Sequence, residues 1–309
     1  MRYRWRKRTI VFLSILAIVA SGQKVTAEEP SQVDSVYTQA IRNVVLIKEL
    51  QSVCTLGLAK PRQNLVTLGT GFYVTRDVDG DLSTWLVTAR HVVDNHADLI
   101  AKARAENNNE AFLVLPGIKW IYHPGPNPGG YLPVDVAVMK VFVPGNTVAF
   151  WYCVGQCSID LKTKQQHMNH LEGLPEPTDH VLFFGYPAGD VNPDEVPPFV
   201  RSGIVAYALR NPGFTINGLQ PADEKMFYVD ALSFAGNSGG PVMLEPNPIF
   251  GKVRLWGLVT GSSPSRNYTI VTSVTRIKEA IEHAITQSVI PQDSWTRTLP
   301  PLEHTCSKN

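Results

Sequence analysis

The sequence predicts an all-β protein, a barrel or a sandwich, with one helix near the C-terminus. Short runs of β-branched and aromatic residues recur along the chain, with turn residues between them. Helical periodicity is clear only at residues 274–286, where apolar residues follow the i, i+3, i+4 spacing of one helix face. The 309 residues are 44% hydrophobic and 18% charged, a composition that excludes a disordered chain and provides material for a sizeable core.

The predicted strands fall into two groups separated by a polar segment. An Asp-Gly pair at 79–80 marks a hairpin turn in the first group. The segment 158–179 carries little β pattern, which is typical of a linker. We therefore predict domains at 36–177 and 178–273, with a C-terminal helix and tail at 274–309. The predicted strands are residues 44–47, 53–58, 65–74, 84–88, 111–115, 120–122, 134–143, 181–185, 201–209, 225–229, 241–244, 253–260 and 268–272.

The N-terminus has the pattern of a secretory signal peptide. Five basic residues precede an apolar stretch of 12 residues at 9–20, and small residues follow at 25–27. We predict a signal peptide at residues 1–27 and an exported protein, periplasmic or secreted. An uncleaved membrane anchor is the alternative, although a spanning helix needs about 18–20 apolar residues.

The charge balance excludes one class of partner. Removal of residues 1–27 would leave 22 basic and 27 acidic residues, a net charge of −5. A mildly acidic protein does not bind nucleic acid or anionic lipid through its bulk charge. We therefore expect no nucleic-acid partner, and contact with a membrane only if the signal segment stays attached.

Four cysteines allow three disulfide pairings, and an oxidising compartment permits them. Cys153 and Cys157 flank a short Gly-containing loop, so we predict a disulfide between them. Zinc is the competing interpretation, because His167 and His170 follow within the same stretch. The spacing does not match a zinc finger well, and we expect no metal and no cofactor.

Three short segments carry residue types that suit nucleophilic catalysis. His91 follows an apolar run, Asp135 begins another, and Ser238 lies in a glycine-rich stretch. A serine hydroxyl is a weak nucleophile at neutral pH, so it needs a neighbouring base, and that base needs a third group to orient it. These three residues supply the three roles.

The glycines around Ser238 add a second element of acyl-transfer chemistry. A glycine-rich turn can direct consecutive backbone N–H groups toward one point. We predict that the N–H groups of Gly236 and Ser238 form the oxyanion hole that such chemistry requires.

The segments Thr88–His91, Asp135–Ala137 and Gly236–Pro241 resemble the His, Asp and Ser motifs of chymotrypsin-fold, trypsin-like serine proteases, in that chain order. The resemblance covers residues 40–286. It implies two antiparallel six-stranded β-barrels, with Ser238 as nucleophile and His91 as base in the cleft between them. Within the family the chain is most similar to bacterial Deg/Htr-type peptidases, through Gly69–Phe72, Gly185–Gly189, Ser202–Val205 and Asp230–Ala231.

The chain departs from the family pattern at three places. Arg90 precedes the histidine where a small residue is common, and we expect its side chain to face solvent. Asn237 replaces the aspartate that pairs with a new N-terminus in digestive and clotting proteases, so we expect no activation of that kind. Only about 23 residues follow the predicted helix, so we expect no PDZ domain after the protease.

The resemblance also implies a specificity pocket. Its walls would be Leu232, Thr260, Gly261, Ser262 and Thr269. Leu232 stands where enzymes selective for Lys or Arg carry an aspartate. We therefore expect a small or medium apolar residue before the scissile bond.

The predicted function is an exported serine endopeptidase that acts on polypeptides through an acyl-enzyme. One alternative is a catalytically inactive protease-fold protein that binds peptides or a partner. An α/β-hydrolase is a second alternative, because Gly236, Ser238 and Gly240 satisfy the Gly-x-Ser-x-Gly pattern. The position of His91 before the serine, and the lack of alternating helices, speak against it. The sequence does not predict the oligomeric state.

Overall fold

The computed structural model describes most of the chain between residues 40 and 296. The described residues are 40–41, 43–53, 62–78, 81–96, 98–104, 110–116, 120–125, 133–142, 152–153, 174–187, 197–208, 225–245, 254–263, 265, 267–289, 291 and 295–296.

Within these described residues, eight strands from the first half of the chain and one short strand near the C-terminus form a nine-stranded sheet. The strands are β1 (Val44–Val53), β2 (Arg62–Val78), β3 (Asp81–Thr88), β4 (Asp98–Arg104), β5 (Glu110–Pro116), β6 (Ile121–Tyr122), β7 (Ala137–Val141), β8 (Tyr152–Cys153) and β15 (Trp295–Thr296). Their spatial order is β15-β5-β4-β1-β2-β3-β7-β6, with β8 beside β2. Neighbouring strands are antiparallel, except that β8 runs parallel to β2.

The second half forms a closed antiparallel barrel of six strands in the order β10-β11-β14-β13-β12-β9. Its interior holds large side chains, among them Phe183, Phe227 and Trp256. The last two rings meet edge to face with their centroids 6.3 Å apart. The strands are β9 (His180–Gly185), β10 (Phe199–Ala208), β11 (Met226–Asp230), β12 (Pro241–Leu244), β13 (Arg254–Ser263) and β14 (Tyr268–Ser273).

Two helices are described, α1 (Arg90–Val93) and α2 (Val274–Thr286). The limits of α2 are those that the sequence predicts. Its cap is Ser273, whose side-chain oxygen accepts a hydrogen bond from the N–H of Thr275 at 3.2 Å. The apolar face of α2 lies in a core that both halves of the chain share. The helix contacts β13 and β14 of the barrel as well as β6 and β7 of the first sheet. The described part of the chain contains no helix that is long and apolar enough to cross a membrane.

The all-β fold class with a C-terminal helix is confirmed. One strand prediction is wrong: residues 134–143 were expected to be extended, whereas β7 begins only at Ala137. The preceding residues form a tight turn around Asp135, with the N–H of Val136 bonded to the carbonyl of Val134 at 2.9 Å. Strands β4, β8 and β15 were not predicted from the sequence.

Several predictions fall outside the described residues. These are the signal peptide, the Asp-Gly turn, Cys157 and the two histidines of the zinc interpretation, His167 and His170. Cys153 belongs to β8, and only its backbone is described. The predicted domain limits stay predictions. His91 and Asp135 lie next to strands of the first sheet, and Ser238 precedes β12 of the barrel.

Candidate active site

His91 and Asp135 form a pair joined by two hydrogen bonds. The ring atom Nδ1 of His91 lies 2.7 Å from Oδ2 of Asp135, and the backbone N–H of His91 donates to Oδ1 at 2.9 Å. Because the carboxylate accepts at both oxygens, the proton of the neutral ring sits on Nδ1 and Nε2 keeps its lone pair. The hydrogen bond to Asp135 raises the pKa of His91, burial lowers it, and the charge of Asp135 raises it again, with a net increase.

The local sequence explains why His91 faces outward. Strand β3 ends at Thr88, and Ala89 keeps an extended backbone before the single turn of α1. Val92 and Val93 are buried in the core and fix the rotation of this turn. The side chain of His91 is 50% exposed as a result, so a substrate can reach it.

Arg90 was expected to face solvent, but its side chain packs against the protein. Its guanidinium lies over the ring of Tyr122, 4.4 Å from the ring centroid, and its Nε lies 3.2 Å from Oδ2 of Asp94. The guanidinium therefore has an aromatic partner in Tyr122 and an anionic partner in Asp94. Arg90 therefore braces the helical turn that carries His91.

The loop that carries Ser238 fits closely against the first sheet. Gly236 and Gly239 have φ angles of +90° and +83°, which residues with a side chain rarely adopt. A Cβ atom on Gly239 would lie 2.1 Å from the carbonyl oxygen of Thr70 and 3.0 Å from the backbone N of Ala89. Ser238 is thus held beside the segment that leads into His91.

Thr70 is a site residue that the sequence analysis missed. Its hydroxyl donates to the carbonyl of Gly236 at 2.7 Å and accepts from the N–H of Tyr186 at 3.0 Å. Its backbone N–H donates to the carbonyl of Ser238 at 2.8 Å. One buried residue of β2 therefore holds the serine loop at two points. The sequence signal that could have pointed to Thr70 is its place between two glycines, Gly69 and Gly71, within a predicted strand.

The two predicted oxyanion donors differ from their neighbours in the same loop. The N–H groups of Asn237, Gly239 and Gly240 donate to backbone carbonyls. Among the backbone contacts of the described residues, the N–H groups of Gly236 and Ser238 have no such acceptor. This alternation leaves available the two donors that acyl transfer needs.

The residues expected to line the specificity pocket lie on adjacent segments. Gly261 and Ser262 of β13 pair with Ile270 and Thr269 of β14. Thr269 is buried, and its hydroxyl donates to the carbonyl of Ala231 at 2.7 Å. This hydrogen bond connects β14 to the segment that contains Leu232.

Leu232 and Thr260 have partners of their own. The carbonyl of Leu232 accepts a hydrogen bond from Arg201 at 2.9 Å, and the guanidinium of Arg201 lies 4.3 Å from the ring centroid of Phe234. The hydroxyl of Thr260 lies 3.1 Å from that of Thr272. No sequence pattern predicted these contacts of Arg201.

A closed six-stranded barrel, a second sheet and a hydrogen-bonded histidine–aspartate pair carried by segments next to β3 and β7 are features of chymotrypsin-like proteases. The trypsin family model matches residues 81–281, about two thirds of the chain, and this range includes His91, Asp135 and Ser238. The chain belongs to the trypsin family.

Two solved structures illustrate the likeness. One is the HtrA-type protease AlgW with a decapeptide, which is 18% identical with a TM-score of 0.52; the match covers 83% of this chain and 67% of that one. The other is the Rv3671c protease from M. tuberculosis in its active form, which is 17% identical with a TM-score of 0.47 and coverages of 82% and 86%. At 18% identity the likeness to AlgW shows the fold alone. No curated protein matches the chain. The predicted resemblance to chymotrypsin-fold proteases is confirmed.

Proposed function

We propose that the chain is an exported serine endopeptidase with Ser238 as nucleophile, His91 as base and Asp135 as the group that orients His91. The observation that carries the proposal is the two-point contact of Asp135 with His91, 2.7 Å to Nδ1 and 2.9 Å to the backbone N–H. A ring held in this way can accept a proton only at Nε2, which is the requirement for a general base in acyl transfer. Membership of the trypsin family supports the same chemistry.

The first half-reaction makes an ester on Ser238. The Oγ atom forms a bond to the peptide carbonyl carbon, and its proton passes to Nε2 of His91. The negative charge that develops on the carbonyl oxygen is stabilised by the N–H groups of Gly236 and Ser238. The C–N bond then breaks, and Nε2 returns the proton to the leaving amine.

The second half-reaction removes the ester. A water molecule gives a proton to Nε2 of His91 while its oxygen attacks the acyl carbon. The same two N–H groups stabilise the second oxyanion. The bond to Ser238 breaks, its oxygen regains the proton, and the new carboxylic acid leaves.

Labelling with a fluorophosphonate probe tests the nucleophile directly. We expect the mature protein to be labelled and the Ser238→Ala and His91→Ala variants to remain unlabelled. Ser202→Ala is the matched control, because Ser202 is an exposed serine of β10 outside the loop. An unlabelled but folded wild-type protein would favour the alternative, an inactive protease-fold protein that binds peptides.

The substrate preference is a part of the proposal with its own test. Leu232 in the expected pocket, together with the buried Thr269, favours a small or medium apolar residue before the scissile bond. A peptide-library cleavage profile would measure this preference. A profile dominated by Lys or Arg at that position would contradict the pocket assignment.

Export rests on the pattern of residues 1–27, five basic residues followed by an apolar stretch. We expect the mature protein in the periplasm or the medium, with a new N-terminus near residue 28. Fractionation followed by N-terminal sequencing would measure both. An intact N-terminus in the membrane fraction would instead support the uncleaved anchor.

A further inference from the structure

A cluster of charged side chains lies on α2, outside the catalytic residues. The carboxylate of Glu279 accepts hydrogen bonds from three side chains in different parts of the chain. Lys225, directly before β11, donates to Oε1. Arg276 of the same helix and His123, which follows β6, both donate to Oε2 at 2.8 Å. Burial alone would raise the pKa of Glu279, but these three hydrogen bonds lower it to about 2, so the carboxylate stays charged.

The ring of His123 is buried and has a partner at each nitrogen. Its Nδ1 accepts a hydrogen bond from the backbone N–H of Gly125 at 3.0 Å. A nitrogen that accepts has no proton, so the ring proton is on Nε2 and is donated to Glu279. The imidazole is therefore held in one orientation, between the helix on one side and its own loop on the other.

The loop that contains His123 also holds the turn around Asp135. The N–H of His123 donates to the carbonyl of Val136 at 3.1 Å, and the N–H of Val134 donates to the carbonyl of Gly125 at 3.5 Å. Asp135 lies between these two bonds, at the centre of its three-residue turn. The backbone on both sides of the aspartate is thus bound to the loop that Glu279 anchors through His123.

We propose that His123 and Glu279 are positioning residues for Asp135, holding its turn so that the carboxylate faces His91. The inference rests on the proposed peptidase function, which gives that carboxylate its task. A purely structural role for the cluster, the anchoring of α2, is the competing explanation. The two explanations differ in what happens to the contact between Asp135 and His91 when the cluster is broken.

The experiment compares His123→Ala and Glu279→Ala with a matched control, Glu282→Ala. Glu282 lies on the same helix and pairs with Arg76 of β2 at 3.6 Å, so its removal also breaks an ion pair of α2. For each variant we would measure kcat and KM per probe-titrated active site, the Tm, and the downfield proton resonance of His91 Nδ1–H.

We expect the two test variants to lose kcat about tenfold, the loss typical of partners that orient a catalytic ligand, with KM unchanged. The His91 proton resonance should move upfield and the acid limb of the kcat profile should move to lower pH, because a displaced Asp135 no longer raises the His91 pKa. His123→Gln should recover most of kcat, because its amide accepts from the loop and donates to Glu279. Glu282→Ala should match the wild type in kcat and in the proton resonance.

Variants that lose only Tm, with kcat per active site and the proton resonance unchanged, would overturn the proposal. If an alanine variant does not fold, Glu279→Gln replaces it, because this change removes the charge but keeps the shape. An inactive wild type would refute the peptidase function separately. In that case the proton resonance, which needs no turnover, still decides whether His123 and Glu279 position Asp135.

Discussion

Replacing Asp135 with asparagine changes one atom at the point where the carboxylate faces His91. Oδ1 can still accept the backbone N–H of His91 at 2.9 Å, so the loop keeps one of its two contacts. The amide nitrogen now faces Nδ1 at the position of Oδ2, 2.7 Å away, and it can only donate. The ring must therefore accept at Nδ1 and carry its proton on Nε2, which removes the base.

The expected cost is large for a change of this size. A serine-protease triad with the wrong histidine tautomer loses about four orders of magnitude in kcat, which corresponds to about 5.4 kcal/mol of transition-state stabilisation. We expect that loss for Asp135→Asn, in a protein that remains folded because one hydrogen bond is kept.

The assay is peptidase turnover across the pH range, with the rate of fluorophosphonate labelling as a second measure of the nucleophile. Asp179→Asn is the control, since Asp179 accepts a backbone N–H of Glu176 in a turn. An Asp135→Asn variant with wild-type turnover would remove Asp135 from the mechanism and refute the tautomer argument.

Four further predictions follow from the same geometry. Gly239→Ala should lower the free energy of unfolding by at least about 2 kcal/mol and abolish labelling, because a Cβ would lie 2.1 Å from the Thr70 carbonyl; urea denaturation measures the first effect. Thr70→Val should lower the free energy of unfolding by about 1–3 kcal/mol and slow peptidase turnover, because the Gly236 carbonyl loses its hydrogen-bond donor. Wild-type turnover in this variant would contradict the role given to Thr70. Because Asp135 raises the pKa of His91 and only the neutral ring is a base, the acid limb of kcat/KM should lie above the ordinary histidine value, and a limb below it would refute the assignment. Ile277→Ala should lower the free energy of unfolding by about 2–5 kcal/mol, as read from the denaturation midpoint, because the side chain is fully buried under α2.

The elements predicted well are those whose signal is local. Helix α2 has the predicted limits because its apolar face repeats for more than three turns and Ser273 supplies a cap. Most strands were found because β-branched runs end at turn residues. The chain order of His91, Asp135 and Ser238 was also readable, since each lies in a short stretch with a distinctive composition. Their catalytic roles stay predictions.

The elements that were missed depend on contacts between distant residues. Strand β4 contains Lys102, which is buried opposite Leu46 of β1, and a buried lysine hides the alternation that predicts a strand. The first residues of the predicted strand at 134–143 form a turn because the loop at 123–125 supplies its backbone partners. Arg201 and Glu279 lie in none of the quoted motifs, and the motif that contains Thr70 does not reveal its hydrogen bonds. Only contacts between distant residues show which groups these three side chains hold.

The hydrogen bonds of Thr70 have a consequence for any attempt to divide this protein. A fragment restricted to the six barrel strands would keep the cluster that contains Phe183 and Phe227. Phe184 and Leu258 would lose the first-sheet and α2 residues with which they share a core. The loop that carries Ser238 would also lack Thr70, which donates hydrogen bonds to the carbonyls of Gly236 and Ser238. The proposed peptidase activity therefore needs both halves of the chain. Mixing separately produced fragments would restore it only if one of them contains β2.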